Sequence, residues 1–145
     1  MQLTDSFPPF LLSPVPERVR HCRRPITLGV NVSEPIAFTT SSVLDPNKNE
    51  PFELGRVQWV RRLGEGDRPA LACGYWHVTP AEAPEPFDLV LHADETISIL
   101  EGHLRIEVEG GETYDLTAGG AASFNKGART RWTVLGPTVE FFVYS

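Results

Sequence analysis

The sequence has few of the residues from which disulfide frameworks, zinc clusters and membrane spans are built. Its 145 residues include two cysteines, four histidines and one methionine. Cys22 and Cys73 lie far apart, so they form neither a spaced zinc motif nor a redox pair. No apolar run approaches the roughly 18 residues that cross a bilayer, and the early FPPFLL run is too short for a signal peptide. We therefore expect a cytoplasmic protein with reduced thiols and no membrane partner.

The chain also lacks an excess of positive charge. It has 13 lysine and arginine residues against 19 aspartate and glutamate residues, which gives a net charge of −6. Nucleic-acid binding depends on clustered basic residues that displace counterions from phosphates, so this balance argues against a nucleic-acid partner. The one basic cluster, between Arg18 and Arg24, is interpreted as part of a solvated arm.

The sequence does contain a series of short β-like runs. Residues 1–24 hold four prolines and predict an extended N-terminal arm, and residues 25–145 predict one compact domain. Apolar residues never recur with a helical period for three turns, and turn-forming clusters separate the runs every 8–12 residues. This spacing predicts an all-β barrel or sandwich. The runs include PITLGVNV, PIAFTTSSVL, RVQWVRR, LACGYWHV, FDLVLH, TISIL, HLRIEVE, ETYDL, AASF, TRWTVL and VEFFVY.

Two connections between the runs contain residues that predict a specific turn or loop. Gly110 and Gly111 separate two alternating runs, and glycine at both central positions predicts a tight hairpin in which both residues adopt positive φ. The stretch DPNKNEP at 45–51 predicts a plain loop.

Two glycine-spaced blocks between about residues 70 and 144 resemble the cupin superfamily. In the first, Glu95 is followed after six residues by Gly102; in the second, Gly119 is followed after five residues by Asn125, Lys126 and Gly127. The chain looks most like the small single-domain cupins similar to the ethanolamine-utilisation protein Q group. The resemblance implies a cupin-type antiparallel jelly-roll β-barrel. It also implies a homodimer, in which the N-terminal arm would cover the partner's barrel.

The departures from the cupin pattern concern the metal ligands. The two histidines of the first cupin motif fall on Leu89 and Leu91, or on Asp88 and Val90 with the longer spacing of that motif, and the histidine of the second motif falls on Thr130. Of the usual three histidines and one glutamate, only Glu95 remains. We therefore favour no cofactor for this chain.

Strand alternation predicts which residues face the barrel interior. If Glu95 points inward, then Leu91 shares its face, because side chains two residues apart lie on the same side of a strand. The cupin register also places Thr130 and Trp132 inside, where they are expected to line a small-molecule site. Arg129 and Arg131 then face solvent.

His77 is the candidate partner for Glu95. It lies with Tyr75 on one face of the CGYWHV run, just upstream of the first motif. If that face is internal, His77 and Glu95 form an acid–base pair and Tyr75 positions the substrate. The alternative interpretation is a hydrogen-bonded structural histidine beneath the barrel mouth.

A rearranged metal site is a second interpretation of the same residues. His77, His92 and Glu95 could ligate iron, manganese, nickel or zinc, provided that a bulge at Ala93 and Asp94 turns His92 inward. Without that bulge His92 lies on the surface.

Three function hypotheses follow. The first is a metal-independent enzyme of isomerase, cyclase, dehydratase or lyase type, which acts on a small molecule by acid–base catalysis with Glu95 and His77. For this enzyme the resemblance implies a role in specialised metabolite biosynthesis. The second is a metal-dependent cupin oxygenase or lyase with the rearranged ligand set. The third is a cupin that binds a metabolite and catalyses no reaction.

Overall fold

The structure, a computed structural model, describes residues 44–145, and this part of the chain is almost entirely β-strand. The arm predicted for residues 1–24, its boundary at residue 25 and the strand runs predicted before residue 44 lie outside the described residues. The strands are β1 (Glu50–Pro51), β2 (Arg56–Arg61), β3 (Ala72–Val78), β4 (Phe87–Val90), β5 (Glu95–Glu101), β6 (His103–Val108), β7 (Thr113–Thr117), β8 (Ala121–Phe124), β9 (Arg129–Val134) and β10 (Thr138–Tyr144).

The ten strands form two antiparallel sheets. One sheet has six strands in the order β1-β2-β3-β10-β5-β8, and the other has four in the order β4-β9-β6-β7. Buried and more exposed residues alternate along most strands, as they do along β3, β5 and β9. Each sheet therefore has one buried face, which packs against the buried face of the other sheet. The predicted antiparallel cupin barrel is therefore confirmed.

The hairpin at Gly110 and Gly111 and the loop at 45–51 differ in detail from the prediction. In the β6–β7 hairpin only Gly110 has positive φ, +73°, and the amide of Gly111 donates to the carbonyl of Val108. The predicted loop at 45–51 contains a 3₁₀ turn, Pro46–Lys48, because the side chain of Asp45 accepts from the amide of Asn47 and caps it. The short strand β1 follows this turn.

The core lies between the two sheets and is rich in aromatic and β-branched side chains. The fully buried members include Ile97 and Ile99 from β5, Phe142 from β10, and Leu104 and Ile106 from β6. Burial of such side chains supplies the main favourable free energy of folding. In the described part of the chain, no helix is long and apolar enough to span a membrane.

Candidate active site

The first residue of β5, Glu95, lies inside the barrel. It is 4% exposed, and the alternation of β5 places it on the same inward face as Ile97 and Ile99. A carboxyl group at such a position has lost most of its water, which disfavours its ionised form. Leu91, which precedes it in the loop after β4, is also buried, as alternation predicts.

Strand β10 brings two further polar groups to Glu95. Tyr144 pairs with Glu95 across the two strands, and Glu140 lies four residues back on the same inward face, opposite Ile99. Glu140 is 2% exposed, and its Oε2 has no hydrogen-bond partner. The interior therefore holds two carboxyl groups and a phenol on adjacent strands.

The surroundings of the two carboxyl groups raise both pKa values, but for partly different reasons. Burial raises the pKa of Glu95 to about 7, and a hydrogen bond from the Tyr144 hydroxyl opposes that rise. Burial raises the pKa of Glu140 well above its ordinary value, and the nearby charge of Glu95 raises it further. Burial and the same two carboxylates also raise the pKa of Tyr144, which stays a neutral donor. Burial thus favours the protonated form of both carboxyl groups, and the charge of Glu95 favours the protonated form of Glu140 further.

The four-stranded sheet supplies Thr130 and Trp132 on β9. Thr130 is 5% exposed and Trp132 is 2% exposed, so both face the interior. The Trp132 indole Nε1 donates to the hydroxyl of Thr130 at 2.7 Å, and that hydroxyl donates to the carbonyl of Leu89 at 2.9 Å. Because the hydroxyl hydrogen is already used, Thr130 is placed to hold Trp132 rather than to donate to a substrate.

Aromatic rings border the carboxyl groups. Trp76 of β3 lies beside Glu140, and Phe124 of β8 lies beside Glu95, as the strand pairing shows. The ring of Trp132 contacts both, with centroid distances of 6.1 Å to Trp76 and 6.4 Å to Phe124. The polar groups thus lie next to a largely aromatic wall.

The structure corrects the predicted partner of Glu95. On β3 the buried residues are Ala72, Gly74, Trp76 and Val78, so His77 and Tyr75 lie on the other face of the six-stranded sheet. Tyr75 packs there against Phe141 at a centroid distance of 5.1 Å. Burial lowers the pKa of His77, and the charge of Glu101 opposes that shift. The prediction that His77 and Tyr75 face Glu95 in the interior is therefore wrong.

The cupin resemblance implies a metal, and the described donor set does not fit it. His77 lies on the outer face, His92 lies exposed in the loop before β5, and the His103 ring is hydrogen-bonded to Asp115. The predicted alternative set of His77, His92 and Glu95 is not brought together, and residues 44–145 contain no group of three histidine, cysteine or carboxylate side chains suited to a metal. Two carboxyl groups and a phenol do not reproduce the three-histidine cupin site.

The predicted outward residues behave as expected, and their contacts are ordinary surface pairs. Arg131 contacts Asp88 at 3.1 Å and Arg129 contacts Glu109 at 2.6 Å, with all four side chains about half exposed or more. Pairs of this kind contribute little stability.

Sequence reasoning missed Glu140 and Tyr144. A signal was present in the VEFFVY run, where Glu140, Phe142 and Tyr144 share one face of a strand. A charged residue within an otherwise apolar and aromatic strand indicates either an exposed face or a buried functional group.

Comparisons with known proteins agree with this fold. Residues 61–140 match the EutQ-like cupin domain family. No curated protein sequence matches the chain. Among solved structures, the chain is similar to the Clostridium difficile EutQ protein, with 22% identity, a TM-score of 0.51, and coverage of 61% of this chain and 65% of that one. The chain thus spans slightly less than two thirds of that protein's length.

Two further solved structures share the fold. A protein described as ethanolamine utilization protein Q from Salmonella typhimurium LT2 has 21% identity and a TM-score of 0.57, with coverage of 74% of this chain and 90% of that one. Ectoine synthase from P. lautus has 17% identity and a TM-score of 0.55, with coverage of 70% of each chain. At these identities the likeness shows the fold alone. Together with the family match, it shows that the chain belongs to the EutQ-like cupin domain family.

Proposed function

We propose that the barrel interior catalyses proton transfer on a small organic molecule, with Glu95 as general base and Glu140 as general acid. The observation that supports this proposal most strongly is the pair of buried carboxyl groups on adjacent strands, one bound by Tyr144 and the other carrying an oxygen without a partner. Such a pair is costly to bury, so a fold that only needed a core would gain from apolar side chains at these positions.

The chemistry follows from the different proton affinities of the two groups. Glu95 in its carboxylate form takes a proton from a carbon adjacent to the carbonyl carbon, or adjacent to the hydroxyl-bearing carbon, of the substrate. Glu140 in its acid form gives its proton to the substrate oxygen, which yields an enol or releases water. Return of one proton from Glu95 to Glu140, directly or through the product, restores the site. In isomerisation, cyclisation and dehydration by this scheme, every proton that is taken up is also released, and no oxidant is needed.

The remaining interior residues position the two catalytic groups. The Tyr144 hydroxyl donates to Glu95 and favours its carboxylate form, which is the form that acts as base. Trp132, held by Thr130, and Leu91 provide apolar surface against which the substrate packs. An apolar surrounding strengthens the electrostatic interactions of the reacting groups.

Hydrogen exchange in D₂O tests this proposal on a panel of compounds rather than on a single substrate. The protein is incubated with a defined mixture of small ketones, hydroxy acids and acylated amino acids, and deuterium incorporation at carbon is followed by mass spectrometry. We expect wild-type protein to label at least one compound, with a rate that rises with pH through about 7 as Glu95 ionises. Glu95→Gln should lower that rate by about 100-fold or more.

Glu112→Gln is the matched control, because it makes the same chemical change at an exposed residue of the β6–β7 hairpin. It should label compounds at the wild-type rate. Undiminished labelling by Glu95→Gln would contradict the assignment of the base. Reversible binding of a compound by wild-type protein, with no labelling and no product, would instead establish the third hypothesis, a binding cupin.

A further inference from the structure

The interior of the described barrel carries acidic groups that no protein cation balances. Within residues 44–145 the buried polar and charged residues are Gln58, Glu95, Thr130, Thr138 and Glu140, and none of them is basic. A buried carboxylate normally has a cationic or strongly hydrogen-bonding partner. Glu95 has the Tyr144 hydroxyl, whereas Oε2 of Glu140 has no partner. When Glu95 is ionised, no buried basic residue of the described chain balances its charge, and the site is therefore electrostatically suited to a positively charged ligand.

The indole N–H groups of the two tryptophans beside the carboxyl groups are hydrogen-bonded within the protein. The indole Nε1 of Trp76 donates to the carbonyl of Leu54 at 2.6 Å, and that of Trp132 donates to Thr130. Both indole hydrogens are therefore used within the protein. Together with Phe124, these rings offer π surfaces, which attract cations electrostatically.

We infer that the site recognises a small organic cation, an alkylammonium group held by Glu95 and Glu140 against Trp76, Trp132 and Phe124. Aromatic rings next to carboxylates are the arrangement that favours alkylated ammonium groups, because the rings stabilise the charge without requiring strong hydration. The inference rests on the proposed site and adds the class of substrate: a compound that carries an amine or a methylated amine near its reactive carbon.

The charge of the carboxyl pair matches a single ammonium group. Burial raises the pKa of both groups, and the charge of Glu95 raises that of Glu140 further, so the pair carries one negative charge when Glu95 alone is ionised. Glu95 pairs with Tyr144 of β10 and with Phe124 of β8, and within residues 44–145 Glu140 is the only other buried residue with an acidic or basic side chain. Cation binding should therefore strengthen as pH rises through about 7.

The experiment compares cations with neutral molecules of the same shape. Choline is paired with 3,3-dimethylbutan-1-ol, and propylammonium is paired with propan-1-ol. Binding to the full chain is followed through the tryptophan indole NMR signals at pH 8 and pH 5.5. We expect at least one cation to bind about tenfold more tightly than its neutral partner at pH 8. That preference should shrink at pH 5.5.

The variants locate the binding and separate this inference from the proposed function. Glu95→Gln with Glu140→Gln should abolish the preference for cations while the tryptophan signals stay those of a folded protein, and Glu112→Gln should keep it. Equal binding of cations and neutral partners, or no shift with any probe, would overturn the inference. If the protein prefers cations but labels no compound with deuterium, the inference stands and the proposed function is overturned. If it labels a compound but shows no preference for cations, the proposed function stands and the inference is overturned.

Discussion

The two interior carboxyl groups, Glu95 and Glu140, are both buried, but they differ in their hydrogen bonds and in the charges near them. Tyr144 donates to Glu95, and this hydrogen bond favours the ionised form of that group. Glu140 is nearly fully buried, has an oxygen without a partner and is affected by the charge of Glu95, so its neutral form is favoured. Two chemically identical side chains thus differ in proton affinity because their surroundings differ, and the proposed roles of base and acid rest on this difference.

At the residue scale, the sequence predicted Glu95 but not its partners. Glu95 stands out because a glycine at a fixed spacing follows it, and that spacing reflects a turn. Glu140 and Tyr144 have no such marker, since strand alternation tells which residues share a face but not which face is buried. Thr130 and Trp132 were predicted to lie inside, and they do, because the second glycine block fixes their register.

At the element scale, the turn between β5 and β6 depends on a glycine. Gly102 has φ +94°, and a Cβ there would lie 2.2 Å from the carbonyl oxygen of Pro137 and 2.6 Å from the Cα of Thr138. Both atoms belong to the backbone, which cannot move aside without disturbing β10. We expect Gly102→Ala to lower the free energy of unfolding by about 3 kcal/mol or more, measured by urea denaturation.

Gly119, in the turn before β8, is the matched control for that substitution. Its φ is similar, +87°, but no atom lies within 4 Å of the position of a Cβ. Gly119→Ala should therefore cost only the backbone strain, about 1 kcal/mol. If both substitutions lower the free energy of unfolding equally, the contact of residue 102 with the backbone of Pro137 and Thr138 is not the reason that the turn needs glycine.

Strand β3 shows why the predicted partner of Glu95 was wrong. Both faces of CGYWHV carry an aromatic residue, Tyr75 on one and Trp76 on the other, so the alternation did not identify the inner face. The pairing of β3 with β10 decides it, because Trp76 lies opposite Glu140, and Phe142 lies opposite Gly74. Such pairing between strands distant in sequence is a tertiary property that a local pattern does not contain.

At the scale of the whole molecule, the buried carboxyl groups should make stability depend on pH. The pKa of Glu95 is raised in the folded state, to about 7, and that of Glu140 is also raised, so the folded state binds more protons than the unfolded state above the ordinary glutamate range. Stability from these groups is present at low pH and is lost as pH rises through the folded values. For Glu95 alone the loss is on the order of 3 kcal/mol.

The comparison between wild type and the double variant Glu95→Gln with Glu140→Gln isolates this effect. Urea unfolding at pH 5.5 and pH 8.5 should show that the variant gains stability over wild type at the higher pH. Groups such as Asp115, whose pKa is lowered by Arg105 and His103, contribute equally to both proteins. An unchanged difference between the two proteins at both pH values would contradict the burial of ionising carboxyl groups.

The overall fold was predictable because many weak signals agree. Short alternating runs, turn clusters and two glycine blocks all favour an antiparallel barrel, and each described run forms a strand close to its expected place. The site was less predictable, since it uses buried polar residues that break the local pattern. Functional groups often occupy such positions because function, not folding, requires them.

The most direct test of the acid–base pair is an NMR titration of its side-chain carboxyl carbons in wild-type protein, with Glu95→Gln and Glu140→Gln used to assign the two signals. The account predicts a midpoint near 7 for Glu95 and a midpoint well above the ordinary glutamate value for Glu140. Midpoints near the ordinary glutamate value for both residues, about 4.3, would contradict the account, because neither group could then act as a proton donor at neutral pH.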